Sequence, residues 1–280
     1  MIDLHLHTTA SDGRLAPADL VTAAAAAGLT TISITDHDTT TGLPEAHAAA
    51  RAAGLRLIDG IEITAVESEQ DVHVLGYFFD PEDDELRSFL VAQRTARLRR
   101  VREMTERLAA LGCSIDVGPL LEEAMRQPGR SVGRPFLADA LVEAGYARDR
   151  GDAFDRFLAA GRPGFVPRRG PPVSDVVDVV TAAGGITSLA HPGLTRLDGE
   201  IARFAAGGLD ALEVRHSDQD SEAEACYRQM AASLGLAVSG GSDFHADPSQ
   251  HIDVLGVVTL GRADFCELEA RSVRKRRGRR

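Results

Sequence analysis

Cysteine is scarce in this chain: Cys113, Cys226 and Cys266 are odd in number and scattered through 280 residues. That argues against a disulfide framework and suits a reducing compartment, so a cytoplasmic location is expected. Long apolar runs are missing too. No stretch approaches the roughly 18 apolar residues that a membrane span needs, and Met1-Ile2-Asp3-Leu4-His5 shows no basic-then-apolar leader pattern. Positive charge is in deficit, with 31 Lys and Arg against 42 Asp and Glu and a net charge of -11. A general nucleic-acid coat, which relies on a basic face, is therefore excluded. One basic run stands apart, Arg274-Lys275-Arg276-Arg277-Gly278-Arg279-Arg280, and reads as a solvated tail over residues 271–280.

What remains is ordinary for a globular protein, 44% hydrophobic and 26% charged, and long enough for one large domain or a domain with an insert. Short β-rich runs alternate with Ala-rich helical stretches. Strands are predicted from Ile2 to His7, Thr31 to Thr35, Leu57 to Glu62, Val72 to Phe79, Ile186 to Ala190, Ala211 to Val214 and Ala237 to Ser239. Helices are predicted from Pro17 to Ala27, Leu43 to Ala53, Val173 to Ala183 and Glu222 to Leu234; Gly28 and Gly54 close the first two. The alternation predicts an α/β fold with a parallel sheet of about seven strands, closed into a TIM-like barrel. Residues 84–165 break the rhythm with a long charged helical segment, Leu86 to Leu111, then shorter helical candidates and no strand. They are expected to form a helical insertion, a lid or substrate wall, on a barrel of residues 1–83 and 166–270.

The chemistry begins at Asp3-Leu4-His5-Leu6-His7. Residues two apart in a strand share a face, so His5 and His7 point together, and two neutral imidazoles suit one metal ion. An isolated pair is equally compatible with two hydrogen-bonded barrel histidines; recurrence elsewhere decides between these readings. Asp12 follows the first strand, His37 and Glu62 end the second and third, and His73 lies in the fourth. His191 ends the fifth, and Asp243 and His245, again two apart, follow the last. Each is expected at or next to the C-terminal end of a strand, where barrel enzymes build their sites. Burying nine such groups without metals would leave costly unsatisfied atoms. Six imidazoles and three carboxylates can ligate two or three divalent ions, and mixed N/O ligation suits Mn, Fe or Zn better than Ca or Mg.

Taken in order, His5-Leu6-His7, Asp12-Gly13, Thr35-Asp36-His37-Asp38, Gly60-Ile61-Glu62, His73, Ala190-His191-Pro192 and Gly241-Ser242-Asp243-Phe244-His245 resemble the PHP (polymerase and histidinol phosphatase) family across essentially the whole chain. The resemblance implies a distorted seven-stranded β/α barrel with a two- or three-metal centre, Mn foremost. It implies His5, His7, Glu62 and Asp243 around one ion and Glu62 bridging to a second held by His73 and His191. Asp12, His37 and His245 complete a third site. Within the family the chain looks most like the branch acting on nucleotides, which includes phosphatases of nucleoside 3′,5′-bisphosphates and enzymes that trim short RNA from its 5′ end. That branch often reads Gly-Arg-Pro-His where this chain has Gly133-Arg134-Pro135-Phe136. Arg134 matches a phosphate-contacting arginine, and Phe136 departs from the pattern.

Other candidates are read from position. Arg134 precedes Pro135 at a helix start, where its guanidinium can aim at a phosphate; Arg162, Arg168 and Arg169 flank the return into the barrel and are candidates for a second phosphate contact, Arg162 and Arg168 foremost. His216, just past a strand end, is a candidate proton donor or substrate contact. Asp36 and Asp38 are expected to orient an imidazole by hydrogen bond. His47 and His251 read as structural or exposed, Phe78, Phe79 and Phe89 as packing, and no cysteine has the nearby His of a thiol nucleophile. The expected activity is metal-assisted phosphoester hydrolysis of a small phosphorylated nucleotide or short RNA, with no membrane and no obligate protein partner. Two alternatives compete: a histidinol-phosphate or other small-molecule phosphatase, and a non-catalytic, metal-stabilised accessory module.

Overall fold

In a computed structural model, residues 1–119, 121–122, 129–247 and 255–278 are described. His251, Arg279 and Arg280 lie outside them. The sheet starts at β1 (Ile2–Leu6), whose Leu4 and Leu6 are fully buried. It continues through β2 (Thr31–Ile34), β3 (Arg56–Glu67), β4 (Gln70–Tyr77), β5 (Ile186–Leu189), β6 (Ala211–Arg215) and β7 (Ala237–Gly240), hydrogen-bonded in that order. After β7 the chain returns to β1: His7 donates its N–H to the Phe244 carbonyl at 3.0 Å, and Asp243 donates to the His5 carbonyl at 2.9 Å. The seven strands thus nearly close into a barrel. Tyr77 ties its interior together by donating its hydroxyl to the Leu4 carbonyl at 3.0 Å.

The sheet is mixed, where a parallel one is predicted. β4 runs antiparallel to both β3 and β5. The reason is local: Ser68 and Glu69 take φ of 49° and 64°, the two positive values of a two-residue hairpin turn. So short a connection can only reverse the chain, since a parallel partner needs a crossover. The hairpin also lengthens β3 to 12 residues, placing Glu62 in mid-strand instead of at its end.

Helices cover the outside of the barrel. α1 (Pro17–Ala26) opens on Pro17, and α2 (Leu43–Ala53) stops at Gly54, whose φ of 66° is the left-handed conformation that favours glycine. Between β4 and β5 lie α3 (Asp84–Ala110), α4 (Arg134–Glu143), α5 (Arg150–Ala153) and a π-helical turn over Phe154–Leu158. Asp83 caps α3, accepting the Leu86 N–H at 2.9 Å. This helix joins two apolar clusters: Leu86 and Leu90 pack into the barrel core, whereas Val101, Met104 and Leu108 pack with α4 in a separate cluster. α6 (Val173–Ala182) leads into β5. Two short helices that sequence patterning missed, α7 (Pro192–Thr195) and α8 (Asp198–Ala206), follow it. α9 (Ser221–Leu234) precedes β7, and α10 (Arg262–Arg277) ends the described chain. No helix among the described residues is long and apolar enough to cross a membrane.

The basic run proves to be helical through Arg277 rather than a separate tail. Lys275 pairs with Asp210 at 2.5 Å, and Arg271 donates to the Asp210 carbonyl at 2.8 Å. Because Asp210 immediately precedes β6, these contacts hold the run at the end of the barrel remote from the strand C-termini.

Gly241 is where closure is tightest. A Cβ there would stand 2.4 Å from the His5 backbone nitrogen and 2.7 Å from Asp3 Oδ1. Gly241→Ala is expected to lower stability by about 1–3 kcal/mol through overpacking. Urea unfolding followed by circular dichroism measures this; an unchanged midpoint would show that the seam tolerates a methyl group.

Candidate metal centre

Strand periodicity and barrel closure gather all nine predicted ligands. Glu62 Oε1 stands 2.8 Å from His73 Nδ1 and 3.1 Å from His191 Nε2. Its other oxygen is 3.0 Å from His37 Nδ1, 3.2 Å from His7 Nε2 and 3.4 Å from His5 Nε2. Asp243 Oδ1 faces the same two histidines, at 3.0 Å from His7 Nε2 and 3.2 Å from His5 Nε2. Asp12 stands 3.4 Å from His245 Nε2 and 3.7 Å from His37 Nε2. The groups His5–His7–Glu62–Asp243, His37–Glu62–His73 and His7–Asp12–His37–His245 each bring their ligand atoms within 4.8 Å of one another. His73, like Glu62 in mid-strand, is not at the strand C-terminal end where it is expected. It comes from the N-terminal half of β4, which the reversed direction of that strand brings to the same barrel mouth.

The residues fit divalent cations. His5 Nε2, His7 Nε2, His37 Nδ1, Asp12 Oδ1, Glu62 Oε2 and Asp243 Oδ1 are buried without a hydrogen-bond partner. Orphaned atoms of this kind cost several kcal/mol in an interior unless something ligates them, and here they converge. The cluster also has the electrostatics of a cation site. Burial opposes ionisation of Glu62, but the surrounding imidazoles outweigh it and hold the carboxyl well below its usual range. Burial likewise opposes charge on His7, yet the Asp243 and Glu62 carboxylates that face it push its pKa up to about 10. His37 goes the other way, down to about 3, because burial dominates there.

Several supports were not legible in the pattern. Glu213, at the middle of β6 and fully buried, contacts His5 Nδ1 at 2.9 Å and accepts the His191 N–H at 2.7 Å. A carboxylate between Leu212 and Val214 in a buried strand needs a partner, and that was the available signal. Among the described residues Asp36 and Asp38 hydrogen-bond no imidazole, contrary to expectation. Asp36 accepts from Thr8 N–H at 2.8 Å and Ser11 Oγ at 2.6 Å, fixing the loop that carries Asp12. Asp38 accepts from Thr64 N–H at 2.9 Å and pairs with Arg97. His216 accepts the Asp218 N–H on Nδ1 at 3.1 Å, so its proton sits on Nε2, 3.4 Å from Asp243 Oδ2.

Beside the ligands lies a nest of arginines. Asp71, two residues before His73 and therefore on the same strand face, pairs with Arg100 and Arg134 at 3.3 Å and Arg168 at 3.6 Å. Burial opposes its ionisation, but these cations pull its pKa down to about 2. Burial in turn lowers Arg134 to about 10 and Arg168 to about 9. Arg134 opens α4 as predicted, its guanidinium over the rings of Phe154 and Phe165 at 5.8 and 5.7 Å. Arg97, Arg100 and Arg168, with Arg99, Arg107 and Arg169, line a cleft of about 350 Å³ along α3. Arg162 is exposed and stays outside the nest. Phe136 is half-buried and carries the Arg130 guanidinium 5.2 Å above its ring.

A metal ion needs the imidazole lone pairs, so it must displace the proton that His7 otherwise holds up to about pH 10. Metal binding is therefore expected to release protons and to tighten as pH rises, about tenfold per unit for each proton released. Calorimetric titration with Mn(II) in two buffers of different ionisation enthalpy reads this directly; equal heats in both buffers would contradict it.

Residues 3–118 match the PHP domain family. The chain is 34% identical to a 3′,5′-nucleoside bisphosphate phosphatase of Chromobacterium violaceum, over 98% of both chains. It is 37% identical to the 5′-3′ exoribonuclease Rnm of Salmonella typhimurium, covering 87% of this chain and 84% of that one. A Bifidobacterium adolescentis crystal structure, described as a candidate metal-dependent phosphoesterase, superposes with a TM-score of 0.86 at 36% identity, covering 96% of each chain. With the barrel, the converged ligands and these likenesses together, the chain belongs to the PHP family of metal-dependent phosphoesterases and is a hydrolase.

Proposed function

We propose that the protein hydrolyses a phosphate ester in a nucleotide that carries a second phosphate. The substrate is a nucleoside 3′,5′-bisphosphate, the 5′ end of short 5′-phosphorylated RNA, or both. The observation that carries this reading is the excess of positive charge beside the ligand cluster. Four largely buried guanidiniums, Arg97, Arg100, Arg134 and Arg168, pair with only two carboxylates among the described residues, Asp38 and Asp71. Arg100 Nη2 and Arg168 Nε are buried without hydrogen-bond partners. A phosphate dianion would balance the charge and accept those donors, while a phosphomonoester with no second anion would leave them unmet. That favours nucleotides over histidinol phosphate, and the names of the relatives point the same way. The completeness of the ligand set speaks against a non-catalytic module.

The nine clustered residues would hold two or three divalent cations, with Mn favoured by the mixed nitrogen and oxygen ligands. When bound, such ions supply Lewis acidity and lower the pKa of water, so that hydroxide is accessible near neutral pH. The chain does the rest. Arg134 and Arg168 orient the second phosphate and offset its charge. His216, through its Nε2 proton, holds Asp243 Oδ2 and leaves Oδ1 facing His5 and His7. Three free cysteines suit the cytoplasm as the place of reaction.

The test is phosphate release from adenosine 3′,5′-bisphosphate by Mn-loaded protein, with 5′-phosphorylated oligoribonucleotides and histidinol phosphate run alongside. Turnover of the nucleotide substrates is expected, and Asp243→Asn should abolish it. Arg134→Ala should lower kcat/KM about 10- to 100-fold, the loss of one charge-assisted contact. Turnover of histidinol phosphate alone would overturn the substrate assignment.

A further inference from the structure

We infer that Glu213 is a positioning residue that couples the ligands of separate metal positions, and that divalent-cation affinity depends on it although it is not itself a ligand. The inference rests on the metal-centre reading above. Glu213 is fully buried on β6, and no lysine or arginine pairs with it among the described residues. Each of its two oxygens is committed to a segment that carries a ligand.

Oε1 faces His5 Nδ1 at 2.9 Å. A carboxylate can only accept, so this contact puts the imidazole proton on Nδ1 and leaves the Nε2 lone pair free. That nitrogen is the one aimed at Asp243 Oδ1, 3.2 Å away, and at Glu62 Oε2, 3.4 Å away. Oε2 accepts the backbone N–H of His191 at 2.7 Å. His191 sits at φ 26° and ψ 61°, a positive-φ conformation that is costly for a residue with a Cβ. Something must hold it there, and Glu213 grips its amide. The turn so fixed directs the His191 ring to Glu62 Oε1, where Nε2 stands at 3.1 Å. One side chain thereby sets the tautomer of one ligand, on β1, and the backbone of another, in the turn just past β5.

The same strand end shows why Glu213 and His216 act as supports. Together with His5 they form a triad close enough to hold an ion. However, His5 Nδ1 and both Glu213 oxygens are already engaged with each other and with His191, and His216 Nδ1 accepts the Asp218 N–H. β6 orients the ligands that other strands provide.

Glu213→Gln keeps the volume and replaces one acceptor with a donor facing either His5 Nδ1–H or His191 N–H. Mn(II) titrated calorimetrically into metal-stripped protein should then bind with the wild-type number of ions but a Kd about 10- to 100-fold weaker. An unchanged Kd would overturn the inference, and the loss of one ion at full saturation would do so too, by making Glu213 a ligand. Wild-type protein that binds no Mn(II) would remove the metal-centre reading along with it. If the variant does not fold, the imidazole nitrogens of Zn-loaded wild-type protein give the answer by NMR. His5 should show a protonated Nδ1 and a metal-bound Nε2; the opposite assignment would sink the proposal.

Discussion

One carboxylate, Glu62, stands within 3.4 Å of five imidazoles, those of His5, His7, His37, His73 and His191. This contact cluster is the constraint on which the rest of the barrel mouth depends. Placing so many polar groups out of water is unfavourable unless their lone pairs are used, so every surrounding element is arranged to aim them at shared points. β3 carries Glu62 in mid-strand, β1 presents two histidines on one face, and the β4 hairpin returns a fourth strand so that His73 meets the group from the far side. The closure between Leu6 and Phe244 then places Asp243 and His245 against β1.

Around this centre the buried carboxylates divide their labour by what they accept. Asp36 holds the Asp12 loop, and Asp38 ties β3 to α3 through Thr64 and Arg97. Asp3 accepts from Ser242 N–H at 3.0 Å and from its hydroxyl at 2.7 Å, anchoring the turn that presents Asp243 at φ 56°. The strained backbone at Asp243 and His191 is thus concentrated at the site and held by hydrogen bonds from strands. An acidic protein overall, with a net charge of -11, nevertheless concentrates cations beside the ligand cluster. The arginines come mainly from the helices between β4 and β5 and Asp71 from β4, so the proposed anion site lies at the junction of the two.

Much of this was readable from residue types and spacing. His5 and His7 two apart, most of the candidate ligands at or just past strand ends, and the barrel alternation all follow from short-range periodicity, which the sequence displays directly. Arg134 at the start of α4 was likewise legible, because Pro135 marks the first helical turn. The direction of β4 was missed because Ser68-Glu69 carries no glycine to announce its positive-φ turn. Glu213, Asp71, Arg97 and Arg100 were missed for a different reason. Each looks like an ordinary charged residue until a partner more than 25 positions away in sequence arrives, such as His5 for Glu213.

The sequence by itself determined the inventory: nine groups of the right chemistry, the faces of the strands that carry them, and the helices that cover those strands. Side-chain periodicity is a property of neighbouring residues, so it needs no fold to be read. Only the tertiary structure decided which lone pairs converge, which tautomers the histidines adopt, and where uncompensated charge remains. Those depend on distances between segments far apart in the chain, and barrel closure together with the reversed fourth strand sets them.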